Sequence, residues 1–264
     1  LAACAAIIPL AAAAAVYAAI TEKPGIYKIV ESNRYGFIDT SGKVVIPPRF
    51  SEAGDFSDGL GEVKGENGLY GYIDTTGEFV IKPAFEFAKP FTQTRGLVNV
   101  RGLYGFIDRS GKMVIEPKFE MAWNFTEGIA RIRSGALFGY IDRDGRVIVE
   151  PKYTDAGKFS EGLATIRVGD LYGYIDMTGK VVIQPRFEYA WMMTEGLGAV
   201  KEGGLFGFVD RVGKTVIRPQ FERAWDFNEG LAVVKTGESF GYIDKSGAFA
   251  IQPKFENEIG RAHV

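Results

Sequence analysis

Residues 172–187 read Tyr-Gly-Tyr-Ile-Asp-Met-Thr-Gly-Lys-Val-Val-Ile-Gln-Pro-Arg-Phe, and this stretch contains the pattern that decides the fold. Its two apolar runs flank an Asp-x-x-Gly segment, which is typical of a β-hairpin. The pattern recurs along the 264-residue chain, with its first glycine at positions 36, 71, 105, 139, 173, 207 and 241. The first step is 35 residues and the other five are 34 residues. Such a period indicates one supersecondary unit copied seven times.

Each unit reads as three short strands. In the fifth unit these are residues 163–167, 171–176 and 180–185, and the first has apolar side chains at alternate positions, as expected of a strand with one buried face. A content of 34 Gly, 20 Phe and 12 Tyr favours strands and tight turns over helices. We therefore predict an all-β array of seven tandem antiparallel β-meander repeats with 21 strands, and at most a helical turn near residues 120–123 and its counterparts.

The Asp-x-x-Gly segment is interpreted as a structural turn. Asp at the first turn position accepts a hydrogen bond from the N–H two residues on, and Gly three positions later takes the positive φ of a type I turn followed by a bulge. A catalytic or metal site would instead bring unlike groups together once. The structural turn residues are Asp39, Gly42, Asp74, Gly77, Asp108, Gly111, Asp142, Gly145, Asp176, Gly179, Asp210, Gly213, Asp244 and Gly247.

Proline recurs with the same period just after the third predicted strand, and an aromatic residue follows two positions later. Because proline lacks an N–H and fixes φ, we expect it to end the strand or to lie at a sheet edge. The aromatic residues are expected to seal the core between neighbouring units. The prolines are Pro48, Pro83, Pro117, Pro151, Pro185, Pro219 and Pro253, and the aromatic residues are Phe50, Phe85, Phe119, Tyr153, Phe187, Phe221 and Phe255.

Two architectures fit such an array. Open stacking gives a solenoid or superhelix in which each unit contacts its neighbours. Radial closure gives a β-propeller, whose blades usually have about 40 to 45 residues. Because units of 34 residues are short for a blade, the sequence favours the open solenoid, with the β-propeller as the alternative.

Residues 1–20 contain no charged side chain. An uncharged stretch of about 20 residues is typical of a signal-peptide apolar region or of a membrane-spanning segment. Val16-Tyr17-Ala18 resembles a cleavage motif, and Leu1-Ala2-Ala3-Cys4 resembles a lipobox, although apolar residues rather than a polar tether follow Cys4. We expect the repeats to be extracytoplasmic, whether periplasmic, secreted or anchored to the cell envelope, with residues 1–20 as the candidate membrane anchor.

Residues 258–264, Glu-Ile-Gly-Arg-Ala-His-Val, leave the repeat pattern. They correspond to the translation of a string that resembles the start of a common sequencing adapter. We interpret them as an adapter-derived artefact, which fold reasoning should exclude. The repeat array then spans residues 26–257.

Composition limits the classes of partner and cofactor. The 31 basic and 33 acidic side chains give a net charge of −2, which argues against a nucleic-acid partner. Cys4 is the only cysteine and His263 the only histidine, so neither a zinc site nor thiol chemistry is expected in the repeats. No Gly-rich loop precedes Lys-Ser or Lys-Thr, as a phosphate cradle would require. We expect no cofactor and no metal.

One loop position varies strongly between units. It is Trp in Trp123, Trp191 and Trp225, but it is Gly54, Lys89 and Gly157 elsewhere. Because Gly and Lys are poor occupants of an obligatory core site, the three Trp residues are candidate ligand-binding residues for stacking on a sugar or an apolar side chain. The alternative is that the Trp rings pack over neighbouring units, as large aromatic side chains commonly do.

Charge also follows the repeat. Residues after the recurring proline are mostly basic, and acids stand two positions beyond, as in Arg186 and Glu188. Since positions two apart on a strand face the same way, we expect these side chains to pair locally.

The recurring aromatic-Gly-aromatic-Ile-Asp-x-x-Gly-Lys-x-Val-Ile-x-Pro-x-Phe, followed by Phe-x-Glu-Gly-Leu-Ala, resembles the WG-repeat proteins of bacteria, also called KWG repeats. The resemblance covers roughly residues 26–257. This chain departs from the family in one respect, because Tyr or Phe replaces Trp before the glycine in all seven units. The resemblance implies a β-rich repeat module that is often found on secreted or envelope proteins and is used for binding.

The expected function is that of a non-catalytic, extracytoplasmic binding or scaffold module for a protein or a cell-wall glycan. A structural spacer or stalk is the first alternative. A glycan hydrolase would be a further alternative, but it needs two carboxylates about 5 to 9.5 Å apart in a cleft. A row of exposed Trp side chains would favour binding, and unit-specific pairs of acids outside the turns would favour the hydrolase.

Overall fold

The computed structural model describes residues 25–256, and these residues form only strands, turns and loops. Twenty-six strands lie in seven antiparallel sheets of three or four strands, which confirms the all-β, seven-repeat prediction. The predicted leader and adapter segments, residues 1–20 and 258–264, lie outside the described residues. In the part that the structure describes, no helix meets the length and hydropathy needed to cross a membrane.

The chain divides into two compact units, the first ending at Asn124 and the second beginning at Phe125. The strands of the first unit are β1 Ile26–Glu31, β2 Arg34–Asp39, β3 Val44–Phe50, β4 Gly61–Lys64, β5 Tyr70–Ile73, β6 Phe79–Phe85, β7 Phe87–Ala88, β8 Gly96–Val100, β9 Leu103–Ile107, β10 Met113–Phe119 and β11 Met121–Ala122.

The second unit repeats the same succession of strands. They are β12 Ile129–Ser134, β13 Leu137–Asp142, β14 Val147–Tyr153, β15 Asp155–Ala156, β16 Leu163–Val168, β17 Leu171–Asp176, β18 Val181–Phe187, β19 Tyr189–Thr194, β20 Leu197–Glu202, β21 Leu205–Asp210, β22 Thr215–Phe221, β23 Arg223–Ala224, β24 Leu231–Thr236, β25 Ser239–Asp244 and β26 Phe249–Phe255.

The prediction of 21 strands was too low, because a fourth strand precedes the three expected ones in several sheets. In the sheet β15-β16-β17-β18, the two-residue strand β15 pairs with the end of β16. The helical turn suggested for residues 120–123 was wrong, since Met121–Ala122 is the strand β11. A segment this short has no periodicity from which its type could be read.

Of the two alternatives expected for the recurring proline, the sheet edge is the one found, and the strand does not end there. Strand β18 continues through Pro185 to Phe187 and lies at the edge of its sheet. Tyr172 pairs with Phe187, whereas Tyr174 pairs with Ile183. Four residue steps on β18 therefore face two on β17, a bulge of the kind that tolerates proline. The edge position was anticipated, and the bulge was not.

This bulge explains the glycine of the aromatic-Gly pair. A Cβ on Gly173 would lie 2.4 Å from the carbonyl oxygen of Ile183 and 2.7 Å from the nitrogen of Pro185. Backbone atoms cannot yield as a flexible side chain can, so only glycine fits under the bulge. The glycine recurs in every repeat because the backbone of the third strand passes this close to it.

The core lies between consecutive sheets rather than within one. In the second unit, Tyr174 and Ile183 of one sheet pack with Met193, Val200 and Val209 of the next, and all five are buried. Equivalent clusters form between the other neighbouring sheets within each unit. The aromatic residue after the recurring proline takes part, as predicted. Burial of a side chain such as Phe187 contributes about 1.5–3 kcal/mol.

Candidate functional site

The recurring Asp and Gly residues occupy the turn between the second and third strands of each repeat. Oδ1 of Asp176 accepts hydrogen bonds from the N–H groups of Thr178 at 2.9 Å and Lys180 at 3.0 Å. Gly179 has a φ of +83°. The same positive φ and the same bond from the residue two positions on recur in the other turns, at Asp39 and Gly42, Asp74 and Gly77, Asp108 and Gly111, Asp142 and Gly145, Asp210 and Gly213, and Asp244 and Gly247.

Five of these carboxylates also accept a hydroxyl hydrogen bond from the Ser or Thr two positions on. That side-chain bond is the main reason why the pKa of each of the five lies below its ordinary value. The carboxylates therefore stay ionised while they hold the turn, and the geometry gives them a structural task. The five are Asp39, Asp74, Asp108, Asp176 and Asp244.

The variable loop position is matched to the strand beside it. A Cβ on Gly54 would lie 1.8 Å from the Oε1 atom of Glu62, and a Cβ on Gly157 would lie 2.4 Å from the Oγ1 atom of Thr165. Where the loop residue is Gly, a polar strand side chain fills the space. Where it is Trp191, the strand residue at the equivalent repeat position is the small Ala199. The space beside a Gly at this loop position is therefore filled by the neighbouring strand residue.

Two features direct Trp191 outwards. The buried hydroxyl of Tyr174 donates a 2.7 Å hydrogen bond to the backbone carbonyl of Trp191, which fixes the loop. Strand β19 also carries a bulge, because its pairing with β20 shifts between Ala190 and Met193. Bulges re-aim side chains, and the Trp191 side chain is 36% exposed.

Aromatic rings surround Trp191 at one surface of the second unit. The Tyr189 ring centroid lies 5.2 Å from that of Trp191, 5.2 Å from that of Tyr172 and 6.4 Å from that of Phe206. Tyr172 and Phe206 are the half-buried rings that precede the repeat glycine. The Tyr172 hydroxyl donates to Asp155 at 2.9 Å, and burial followed by this bond raises the pKa of Tyr172 to about 12.

Trp191 and Trp225 line one groove, named here the Trp191 groove, which has a volume of about 500 Å³. Tyr189 and Phe206 complete its aromatic lining. Trp225 is half-buried, and its ring centroid lies 5.9 Å from that of Phe240. The structure thus brings two of the three candidate Trp residues together at one site.

Charged groups line the same groove in fixed positions. The Lys201 ammonium lies 5.8 Å from the ring centroid of Phe206. The Glu188 carboxylate accepts the N–H of Gly204 at 3.0 Å, and that of Glu222 accepts the N–H of Gly237 at 3.0 Å. Each of these two acids caps the hairpin turn that follows it.

The expected local pairing of basic and acidic residues after the proline is not the arrangement found for Arg186 and Glu188. The Arg186 guanidinium donates to the carbonyl oxygen of Gly213 in the next repeat, 27 residues away. The Glu188 carboxylate binds the backbone of Gly204 instead. Backbone groups of neighbouring turns therefore satisfy these charges.

The third candidate, Trp123, lies in the first unit. It lines a separate groove of about 480 Å³ with Phe87, Lys89, Tyr104 and Met121. This groove has one Trp, and the basic Lys89 takes the place that a second Trp has in the second unit. Trp123 itself is half-buried.

Several groove residues were missed by the sequence reasoning, above all Tyr189, Phe206 and Lys201. The ring before each repeat glycine was not among the predicted site residues, and Tyr172 and Tyr174 face the same side of their strand. Tyr174 is fully buried, whereas Tyr172 packs at the margin of the core. Only the three-dimensional arrangement shows which of the two rings reaches the surface.

The arrangement suits binding by stacking and hydrogen bonding. Aromatic faces bury apolar surface, and a few fixed polar groups orient a ligand. Within residues 25–256, no group of three or more acidic, cysteine or histidine side chains is placed to hold a metal ion.

Three solved structures show weak similarity to the chain. Hsv2p of Kluyveromyces lactis is 8% identical, with a TM-score of 0.48 and coverage of 87% of this chain and 94% of that one. PorZ, a bacterial surface component of the type-IX secretion system of Porphyromonas gingivalis, is 9% identical, with a TM-score of 0.37 and coverage of 88% and 37%. Dihydro-heme d1 dehydrogenase NirN is 13% identical, with a TM-score of 0.43 and coverage of 85% and 62%. The chain thus spans less than two thirds of NirN and of PorZ.

Sequence comparison identifies the family. No curated protein matches the chain. The family model described as "WG containing repeat" matches residues 35–70, 70–102, 104–137, 138–172, 172–206, 206–238 and 240–260. These seven matches cover most of the chain and equal the seven sheets in number, so the chain belongs to the family of WG-repeat proteins.

Proposed function

We propose that this protein is a non-catalytic binding or scaffold module that holds a cell-envelope glycan in the Trp191 groove. The observation that carries the proposal is the exposure of Trp191 beside Tyr189, Phe206 and Trp225 in one groove. Its volume of about 500 Å³ falls within the range of roughly 300–1,000 Å³ found for ligand pockets.

The chemistry of the groove supports a sugar ligand. A pyranose ring presents C–H groups on its faces and hydroxyl groups at its edge. The rings of Trp191 and Trp225 offer apolar faces, while Lys201 and Arg223 offer donors at the rim. The alternative ligand is a protein whose apolar side chain inserts between the same rings, since exposed aromatic residues also anchor protein interfaces.

A binding role fits the groove better than hydrolysis. A glycan hydrolase would need one acid free to donate a proton and a second carboxylate free to act as base or nucleophile. The two acids that line the groove, Glu188 and Glu222, each accept a backbone N–H. Their carboxylates are used to cap turns, which supports the non-catalytic proposal.

We propose an extracytoplasmic location for this module, in the periplasm, secreted or on the envelope. The uncharged composition of residues 1–20 supports export or membrane anchoring. A cell-envelope glycan is available as a ligand only in those compartments, so the location and the ligand class agree.

The test is a binding titration with soluble cell-wall glycan fragments. We expect Trp191→Ala to weaken binding about tenfold or more, because loss of a stacked ring removes roughly 1–3 kcal/mol. The matched control is Tyr27→Ala, which removes an aromatic side chain that is 58% exposed on β1, outside the groove. No binding by the wild-type protein, or equal binding by Trp191→Ala, would contradict the proposal.

A further inference from the structure

A second groove, of different chemistry, lies in the first unit. It has a volume of about 730 Å³, and Arg34, Arg49 and Lys64 line it together with the rings of Phe50 and Phe79. We name it the Arg34 groove. Glu66 also lines it, and the Lys64 ammonium already donates to the Glu52 carboxylate at 2.7 Å. Arg34 and Arg49 are therefore the cations left for a ligand, over an apolar floor.

The loop that forms one wall of this groove contains the only extra residue in the repeats. Six positions separate Lys64 from Tyr70, whereas five separate the equivalent Asn99 from Tyr104. This insertion accounts for the single 35-residue step. Insertions in repeat proteins lie in loops on one face, which is often the binding face.

In five of the other six repeats a glutamate stands at the equivalent position, and Thr154 stands there in the fourth. The Glu86 carboxylate accepts the N–H groups of Arg101 at 3.2 Å and Gly102 at 3.1 Å. Glu188 and Glu222 bind the corresponding turns in the second unit. An anionic carboxylate thus binds this hairpin turn in three repeats of the array.

The first repeat lacks this carboxylate. Ser51 stands where Glu86 and Glu188 stand in their repeats, directly after the buried aromatic residue. The longer loop closes on itself instead, with the N–H of Gly68 donating to the carbonyl of Gly65 at 3.0 Å. The groove therefore lacks the glutamate that binds this turn in three other repeats, and Glu66 is the one acid among its lining residues.

The cations of the groove are placed for an external anion. Arg34 is exposed, and its guanidinium has no hydrogen-bond or ion-pair partner among residues 25–256. The Arg49 guanidinium lies 4.9 Å from the ring centroid of Phe50 and donates one hydrogen bond, to Gly77. Since a guanidinium has five N–H donors in a planar fork, both arginines retain donors for a carboxylate.

We propose that the Arg34 groove binds an acidic glycan, with a uronate carboxylate in the place of the missing glutamate. The apolar floor favours a sugar over an acidic peptide, because Phe79 is 38% exposed and presents a surface on which a pyranose ring can pack. The site is independent of the Trp191 groove. Failure of either site therefore leaves the other unaffected.

The test is calorimetric titration of the full chain with a short oligogalacturonate. Arg34→Glu should weaken binding about tenfold or more by placing a like charge beside the carboxylate. Ser51→Glu should abolish binding, because the new carboxylate occupies the site as Glu86 does in its repeat. The melting temperature of this variant should be unchanged or raised. Arg143→Glu, an exposed turn substitution in the second unit, is the charge-matched control.

Three outcomes would overturn the proposal. The first is wild-type affinity for the oligogalacturonate in both Arg34→Glu and Ser51→Glu. The second is equal affinity for a neutral oligosaccharide of the same length, which would show that the uronate carboxylate does not contribute to binding. The third is equal or tighter binding of oligoglutamate, which would show that the groove accepts an acidic peptide instead.

Discussion

At the scale of the residue, the Glu62 carboxyl is buried beside Gly54, which stands at the loop position that is Trp in three other repeats. Its side chain fills the space beside Gly54 and is 8% exposed, and its Oε2 atom is buried without a hydrogen-bond partner among the described residues. The pKa of Glu62 is raised to about 7, chiefly by burial; the Asp55 charge also raises it, and the Lys28 and Lys89 charges lower it. The folded protein therefore favours the protonated carboxyl.

This environment predicts a pH-dependent stability. A carboxyl whose pKa rises on folding contributes most below its unfolded pKa of about 4.5, and that contribution is lost as the pH rises towards 7. The loss amounts to about 3 kcal/mol by linkage. We expect urea unfolding of Glu62→Gln to lack this fall between pH 4.5 and 7. Parallel pH profiles for the variant and the wild type would contradict the assignment.

At the scale of the element, the turn of the fifth repeat also packs on the preceding repeat. A Cβ on Gly179 would lie 2.5 Å from the Cγ2 atom of Val149, a buried residue of β14. Gly196 has a similar φ, +85° against +83°, but nothing lies within 4 Å of the Cβ position. The two glycines therefore separate the cost of backbone conformation from the cost of a steric clash.

We predict that Gly179→Ala lowers the free energy of unfolding more than Gly196→Ala does. A Cβ at positive φ costs about 1 kcal/mol in both variants. Overpacking against Val149 adds about 1–3 kcal/mol for Gly179→Ala. Chemical denaturation measures both values, and equal losses would show that the turn does not press on the neighbouring repeat.

A second inter-repeat contact involves the Glu-Gly turns that precede the longer strands. Glu127, Glu161 and Glu195 have φ of 51°, 52° and 51°, an uncommon conformation for a residue other than Gly. Each carboxylate accepts the N–H of a glycine one repeat further on, as Glu161 does from Gly196 at 2.9 Å. These bonds join successive turns of the second unit.

Removal of one such bond should destabilise the unit. We expect Glu161→Ala to lower the free energy of unfolding by about 1–2 kcal/mol, since the Gly196 N–H loses its acceptor. Glu229→Ala is the matched control, because Glu229 has the same φ of 52° and its carboxylate has no partner among residues 25–256. An equal loss in the two variants would assign the effect to backbone conformation rather than to the contact.

The sequence predicts elements with a clear period better than it predicts their contacts. The 34-residue repeat and the Asp-x-x-Gly segment predict the sheets and their hairpins correctly. The bulge at Pro185 was not anticipated, because proline within a strand pattern normally marks its end. The packing of Thr165 into the space beside Gly157 was not anticipated either. The two residues lie on different elements, so no local sequence pattern connects them.

At the scale of the whole molecule, stability comes from contact between successive sheets, and sheets with less cover should open more readily. Ile251 and Phe255 of β26 are half-buried, whereas the equivalent Ile183 and Phe187 of β18 are 3% and 0% exposed. In repeat proteins, each unit depends on its neighbours for its core. The second unit should therefore have a gradient of local stability.

Hydrogen exchange followed by mass spectrometry measures this gradient. We expect amides of β25 and β26 to exchange at least tenfold faster than those of β17 and β18, because their opening exposes less apolar surface. Uniform protection across the four strands would mean that the second unit opens only as a whole.

The candidate site shows the limit of sequence reasoning at this scale. Trp191 and Trp225 were identified from the variation of their loop position between repeats, but nothing in the residue pattern indicates that they share a groove. Tyr189 and Phe206 contribute as much to that groove, yet each resembles a core residue in its own repeat. Whether a ring reaches the surface depends on how its repeat packs against the next one, and the sequence of a single repeat does not show this.

Acrylamide quenching of Trp191 fluorescence tests the central claim most directly. In a variant with Trp123→Phe and Trp225→Phe, Trp191 is the only Trp that remains. We predict efficient quenching in the free protein, consistent with 36% exposure, and clear protection when soluble cell-wall glycan fragments are added. Weak quenching in the free protein, or quenching that the glycan leaves unchanged, would contradict the assignment of the Trp191 groove as the glycan-binding face.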